Sequence, residues 1–339
     1  MWLIFLACAL SFVAAALSGL FIIPLMRKLN FGATIYEKGP AWQKSKNGTP
    51  IMGGFMFIIG VLLSCAVCVG IYGVTKSPDS VGNAGTLSVL RLIAGLAFAF
   101  LNGVIGFTDD YIKAVKKQVE GLNPKQKMVM QFVLSCLFLL ALYLLGDKDT
   151  SIHFPFIGDL ELGLFYYPLM VLVLIYLTNA VNLTDGVDGL CSSITVVFSL
   201  GMLVIFSKAG MEEYRIYSAA LAGGCLGFLI WNFHPAKIFM GDTGSMFLGG
   251  SVCAMGFVLH EHVILAVAAI VYILEALSVV IQVSYFKITK KKYGEGRRIF
   301  KMTPIHHHFE KSGWSEEKIV IAFSAVTLLA AAASVLMFR

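Results

Sequence analysis

Charge is scarce in this sequence. Only 14% of its 339 residues are Asp, Glu, Lys or Arg, against 58% hydrophobic, which is more apolar surface than a soluble core of this length can hide. A water-soluble protein is excluded, and the chain must be dissolved in lipid. The seven cysteines fall mostly within apolar runs, so no disulfide framework is implied. Cys65 and Cys68 form a CxxC, which inside a lipid-spanning helix reads as small packing residues and not as a redox or zinc pair. No stretch matches a Walker A loop or a GxGxxG turn, so a phosphate donor would not be held by a P-loop or a dinucleotide fold. No basic stretch is long enough to fold as a nucleic-acid-binding domain, and no internal repeat is evident. The first apolar run lacks a basic segment before it and is followed by Arg27-Lys28. It reads as a first membrane span with its N-terminus outside, not as a cleaved leader.

Long hydrophobic runs are what the sequence has in abundance. A hydrocarbon core of about 30 Å takes about 20 apolar residues of helix. Ten runs answer to this, at 1–26, 51–75, 92–108, 128–146, 162–184, 189–207, 216–233, 243–259, 263–286 and 319–338. Only the ninth holds an acidic or basic residue, Glu275. Ten crossings place both termini on one side and divide the loops into two sets, one with 20 of the 26 Lys and Arg and the other with 6. The richer set is assigned to the cytoplasm. The expected fold is thus an all-α integral membrane protein, a single domain over 1–339 with ten transmembrane helices and with N- and C-termini outside. Its motif-bearing loops are cytoplasmic. Outside, residues 151–163 alternate apolar and polar residues about a Gly158-Asp159 turn and predict a small β-hairpin. Gly223 and Gly227 form a GxxxG, which predicts a close helix contact.

The polar residues that remain are concentrated in the cytoplasmic loops. In Thr178-Asn-Ala-Val-Asn-Leu-Thr-Asp-Gly-Val-Asp-Gly, the side chains of Asn182, Asp185 and Asp188 recur every three residues and share a face on a helical or near-helical backbone. Gly186 and Gly189 leave backbone N–H groups open to an anion. Thr49-Pro50 reads as a helix start, with Lys44 and Lys46 just before it as a phosphate seat, although a lysine pair attracted to anionic lipid would look the same. Asp109 and Lys113, four apart, stack on one helical face with Asp110 beside them. Adjacent carboxylates at a membrane surface attract a lysine or a divalent cation, although a solvated helix end offers the same pair. Asp242, in Met-Gly-Asp-Thr-Gly-Ser ahead of a new span, can cap that helix or hold a Mg²⁺ that bridges phosphates. Glu275 and Gln282 lie on one face of the ninth span, and an intramembrane carboxylate implies a helix that lines a cavity or breaks nearby. The triplet His306-His307-His308 has the wrong spacing for a helical zinc site. An extended backbone would aim His306 and His308 one way and His307 the other, which suits phosphate and base recognition better.

Aspartates, lysines and helix N-termini gathered at one membrane face describe a site for phosphoryl transfer. The segments NGTPIMGG, GFTDDYIK, NLTDGVDG, FMGDTGS and FKMTPIHHHFE, spread over nearly the whole chain, resemble those of the bacterial phospho-N-acetylmuramoyl-pentapeptide transferases. These belong to the polyprenyl-phosphate N-acetylhexosamine-1-phosphate transferase superfamily. The resemblance implies Mg²⁺-dependent transfer of phospho-MurNAc-pentapeptide from UDP-MurNAc-pentapeptide to undecaprenyl phosphate, with lipid I and UMP as products. It also implies a ten-span homodimer in the bacterial cytoplasmic membrane, with no nucleic-acid partner. By matching position, Asp109, Asp110, Asp242 and His306 are the expected catalytic residues, with Asp242 the Mg²⁺ ligand. Lys44, Thr49, Lys113, Lys125, Asn182, Asp185, Asp188, Asn232, Phe239, Gln282, His307 and His308 are expected around the substrate, with Phe239 stacking on uracil.

A phosphate monoester has a second pKa of about 6, so a lipid phosphate needs little help to become a nucleophile. Direct attack on the β-phosphate, with Asp109 positioning or deprotonating the lipid phosphate, is therefore expected over a covalent aspartyl intermediate. Two other readings remain at this level. One is a sister transferase that uses UDP-GlcNAc, against which the HHHFE segment argues. The other is a transporter with an anion site, which would carry its polar groups near the bilayer midplane.

Overall fold

The computed structural model describes residues 1–33, 46–75, 83–118 and 120–338. Helices account for most of it: α1 (Trp2–Lys28), α2 (Gly54–Thr75), α3 (Asn83–Lys116), α4 (Pro124–Leu144), α5 (Tyr166–Thr184), α6 (Leu190–Ala209), α7 (Glu212–Asn232), α8 (Gly241–Val258), α9 (His262–Ala268), α10 (Ile270–Tyr293), α11 (Ile305–Glu310) and α12 (Glu316–Met337). Eight of these are long and apolar enough to cross a membrane among the described residues, namely α1 to α6, α10 and α12. The chain is a membrane protein. Helices α7 and α8 occupy two further predicted runs without reaching that apolarity. Their small residues serve contact with other helices: α8 is buried at every residue from Thr243 to Val258 and forms the centre of the bundle.

Local sequence explains several boundaries. Asn123 caps α4 by accepting the Lys125 N–H at 3.0 Å, and Gln126 returns the bond to the Asn123 N–H at 3.2 Å, with Pro124 at the first helical position. Ser315 caps α12 through the Lys318 N–H. Helix α3 has 34 residues, about 50 Å at 1.5 Å per residue, so it overruns a hydrocarbon core and carries its last turns beyond it. The predicted glycine contact is present: a Cβ at Gly223 or Gly227 would strike the carbonyl oxygens of Cys8 and Phe12, so the two glycines seat α7 against α1. Cys65 and Cys68 are buried in the packing of α2, and all seven cysteines are free.

Four expectations need correction. Thr49-Pro50 does not start a helix. Pro50 instead forms an isolated bridge with Gly32, and α2 begins at Gly54, so no helix N-terminus stands behind Lys46. The interruption before α10 falls at Ala269, six residues ahead of Glu275. The external hairpin pairs β1 (Ser151–Phe154) with β2 (Gly158–Glu161), but its turn is Pro155–Phe156–Ile157, and Gly158 and Asp159 belong to the second strand. The histidine triplet is helical, not extended, and makes up most of α11.

Candidate active site

A recess of about 360 Å³ lies where α1, α3, α5 and α7 end and α2, α4, α6 and α8 begin. Asp110, Lys113, Asn182, Asp185, Asp188, Asn232, Phe239 and Asp242 all line it. Asn182 is on the last turn of α5, whereas Asp185 and Asp188 follow in a turn, so the three-residue spacing brings them together across a helix end and not along one helical face.

The neighbouring aspartates of α3 do different work. Asp110 turns towards α8: its Oδ1 accepts the Asp242 N–H at 3.1 Å, and its Oδ2 accepts the Thr243 N–H at 2.8 Å and the Thr243 hydroxyl at 2.7 Å. It thereby satisfies N–H groups at the start of α8 that have no partner within that helix. Gly106, one turn earlier, makes this approach possible, because a Cβ there would strike the Asp242 carbonyl. Asp109 accepts the Leu122 N–H at 2.7 Å through Oδ1 and meets Lys113 Nζ at 2.6 Å through Oδ2. Asp242 accepts Asn182 Nδ2 at 2.9 Å, and its other oxygen lies 3.1 Å from both Lys113 Nζ and Lys127 Nζ. One oxygen from each of Asp109, Asp110 and Asp242 falls within 4.8 Å of the others. Three hard oxygen donors so close suit a small divalent cation.

The opposite wall centres on Asp188. Its Oδ1 is 2.7 Å from Lys46 Nζ, and its Oδ2 accepts the Ala236 N–H at 2.9 Å and faces His234 Nδ1 at 3.2 Å. Lys46 also reaches Glu316 Oε2 at 2.7 Å, the same oxygen that accepts the Asp188 N–H at 3.0 Å. Burial alone would lower the Lys46 pKa, but Asp188 and Glu316 outweigh it and hold the ammonium above its ordinary value. Between these walls, Asp185 receives no side-chain donor among the described residues. Burial, and then Asp242, Asp110 and Asp188, push its carboxyl well above the usual carboxylate range, with Lys46 opposing.

Other expected residues take other places. Asn232 accepts the Gly189 N–H at 3.1 Å and donates to the Ile238 carbonyl at 3.0 Å, which ties two loops of the recess together. Lys125 is exposed on α4, and Lys127, half a turn on, reaches Asp242 instead. Thr49 is outside the recess wall and contributes its carbonyl to the Ala33 N–H. Gln282 Oε1 accepts the N–H groups of Ile299 and Phe300, both at 3.0 Å, and fastens the segment after α10 without lining the recess. His307 pairs with Glu310 at 2.5 Å, and His308 accepts the Lys301 N–H at 3.1 Å, so neither faces the aspartates. His306 is fully buried behind Gly186, against Glu275. Lys44 lies outside the described residues. Lys127, His234 and Glu316 are site neighbours that the sequence reading passed over. Glu316 in particular reads as an ordinary acidic residue at a helix start.

Residues 92–260 match the model of the family described as glycosyl transferase family 4. Across the chain, similarity extends to proteins named phospho-N-acetylmuramoyl-pentapeptide-transferase. That of Clostridium perfringens strain SM101 is 42% identical over 327 residues, 96% of this chain and 94% of its own length. The Heliobacterium modesticaldum protein is 42% identical over 332 residues, 96% of each chain. The Listeria welshimeri protein is 40% identical over 329 residues, 96% of this chain and 95% of its own. With relatives at this identity aligned over nearly their whole length, the chain belongs to the phospho-N-acetylmuramoyl-pentapeptide transferase family.

Proposed function

We propose that the chain transfers phospho-MurNAc-pentapeptide from UDP-MurNAc-pentapeptide to undecaprenyl phosphate, releasing UMP and leaving lipid I in the membrane. The observation that carries this reading is the meeting of Asp109, Asp110 and Asp242, from helix ends more than 130 residues apart, with Lys113 and Lys127 at one recess. A lipid phosphate oxygen attacks the β-phosphorus of the nucleotide donor, a new phosphoanhydride bond forms, and the bond to the α-phosphate breaks with its electron pair leaving on UMP. Asp242, with Asp109 beside it, would hold Mg²⁺, which offsets the charge of the two phosphates when bound. Lys113 and Lys127 are placed to follow that charge as it shifts to the leaving oxygen. Asp110 is committed on both oxygens to α8, so it is the brace that aims Asp242 and is poorly suited to a covalent role. Asp109 spends one oxygen on a backbone N–H and one on Lys113, and it is placed to position or deprotonate the lipid phosphate. Asp185 and Phe239 are left for the nucleotide, with Phe239 against uracil, while Asp188 and Asn232 brace the wall around it.

The proposed setting is the bacterial cytoplasmic membrane, crossed ten times with both termini outside and the recess facing the cytoplasm. The whole chain is taken as one domain that pairs as a homodimer. The basic residues at the recess end support that orientation. Purified protein given UDP-MurNAc-pentapeptide, undecaprenyl phosphate and Mg²⁺ is expected to release UMP and to exchange labelled UMP back into the donor. Activity with UDP-GlcNAc and none with the pentapeptide donor would move it to the sister group.

A further inference from the structure

Glu275 and His306 are both completely buried, and each has a polar atom with no partner among the described residues. One carboxylate oxygen of Glu275 takes His306 Nδ1 at 3.0 Å and lies 3.4 Å from the His306 backbone N–H. The other carboxylate oxygen and His306 Nε2 have none. The bare nitrogen is not lost in apolar packing. It faces Gly186 in the Asp185–Asp188 turn, which lines the recess, and a Cβ at Gly186 would fall directly on it. A buried carboxylate is costly unless it does something a hydrophobic residue could not. Here it dedicates one ring nitrogen, since a histidine bonded through Nδ1 to a carboxylate carries its proton there and presents Nε2 alone to whatever lies on the far side.

We propose that Glu275 is a positioning residue for the transfer reaction: by accepting the hydrogen bond of the His306 Nδ1–H it fixes the imidazole ring and aims Nε2 at Gly186, in the turn that lines the recess. The far partner of Nε2 is a hydrogen-bond donor that comes with the donor substrate, as a hydroxyl or a water bound to it. Glycine at 186 then serves the ring as well as the turn, because any side chain there would collide with Nε2. This inference rests on the transferase reading for its activity arm, and its spectroscopic arm is independent of that reading.

The test uses the full-length protein and three variants, Glu275→Gln, His306→Gln and the double substitution. Glu275→Gln keeps volume and one hydrogen-bonding oxygen but lets the amide present either face, so packing alone predicts little change. The expected result is a kcat lowered about tenfold or more, with KM for the nucleotide donor within about twofold of wild type and a double variant no slower than His306→Gln. A wild-type kcat in Glu275→Gln, or losses that multiply in the double variant, overturns the proposal. Should Glu275→Gln fail to fold, ¹⁵N-histidine NMR of wild type, assigned by the signal missing in His306→Gln, decides the matter. A protonated Nδ1 is expected, and a bare Nδ1 overturns the proposal. Absence of UMP release by the wild-type protein would count against the transferase reading and leave the NMR result standing.

Discussion

At the scale of residues, the site divides groups that the sequence shows as equals. Asp109 and Asp110 are adjacent, yet one faces Lys113 and the other is consumed by the start of α8. Their presence at a helix end was legible, but their division of labour was not, because it depends on where α8 arrives. The same holds for Lys125 and Lys127, which look alike in sequence, although only Lys127 points at Asp242. Lys127→Ala is expected to lower kcat about tenfold or more, whereas Lys125→Ala should stay close to wild type, both read by UMP release. Asp242→Asn should cost about a hundredfold or more and flatten the dependence of rate on Mg²⁺. Asp185 yields a stability test with a definite sign. Its folded-state pKa is raised, so the folded protein holds that proton more tightly than the unfolded chain does. Stability is therefore lost as pH rises from the ordinary carboxylate range through the elevated value. Asp185→Asn should raise the melting temperature of the substrate-free protein at neutral pH and remove that slope while lowering activity, a trade typical of strained sites.

At the scale of elements, most helices could be read from apolar runs, and the misreadings fall where backbone geometry overrides residue preference. Thr49-Pro50 carries the signature of a helix start, but the Gly32 bridge takes that backbone first. His306 to His308 fold as a helical turn because Glu275, on α10, takes both the backbone N–H and the ring of His306. Glycines at helix contacts act on the chemistry through spacing. Gly106→Ala should force α3 from α8 and cost about 1–3 kcal/mol, with a loss of activity larger than the fall in melting temperature suggests, because Asp110 would no longer reach Thr243. At the opposite end of the bundle, His260 ties the α8–α9 corner to the loop before the hairpin, 3.3 Å from Asp147 and 3.1 Å from the Ser151 carbonyl. Burial lowers its pKa, but Asp147 and Asp149 outweigh that and hold it above the ordinary histidine value. Its stabilisation is thus complete below the unfolded pKa of about 6.5 and is lost as pH rises through the folded value. Protection of the hairpin amides, corrected for the intrinsic rise of exchange with pH, should fall as pH rises above about 6.5, and His260→Gln should abolish that fall.

At the scale of the whole molecule, the sequence betrayed a membrane protein, the crowding of its acids at one end and its family, because hydropathy and motif both survive without coordinates. It could not show which helix lies at the centre. Helix α8 reads as one of the less apolar runs, and only its burial from Thr243 to Val258 reveals that glycine and serine were needed for neighbours to close on it. Nor could it show Glu316, brought by the last helix to a lysine 270 residues away. The two lysines at Asp242 have a consequence for how ligands enter. In the substrate-free protein, Lys113 and Lys127 already neutralise Asp242 and Asp109, so a divalent cation arriving alone would have to compete with ammonium groups for those carboxylates. A diphosphate gives those ammonium groups new oxygens. Metal and nucleotide should therefore bind with positive cooperativity, each tightening the other by the same factor as thermodynamic linkage demands, and calorimetric titration of Mg²⁺ with and without donor would read that factor directly.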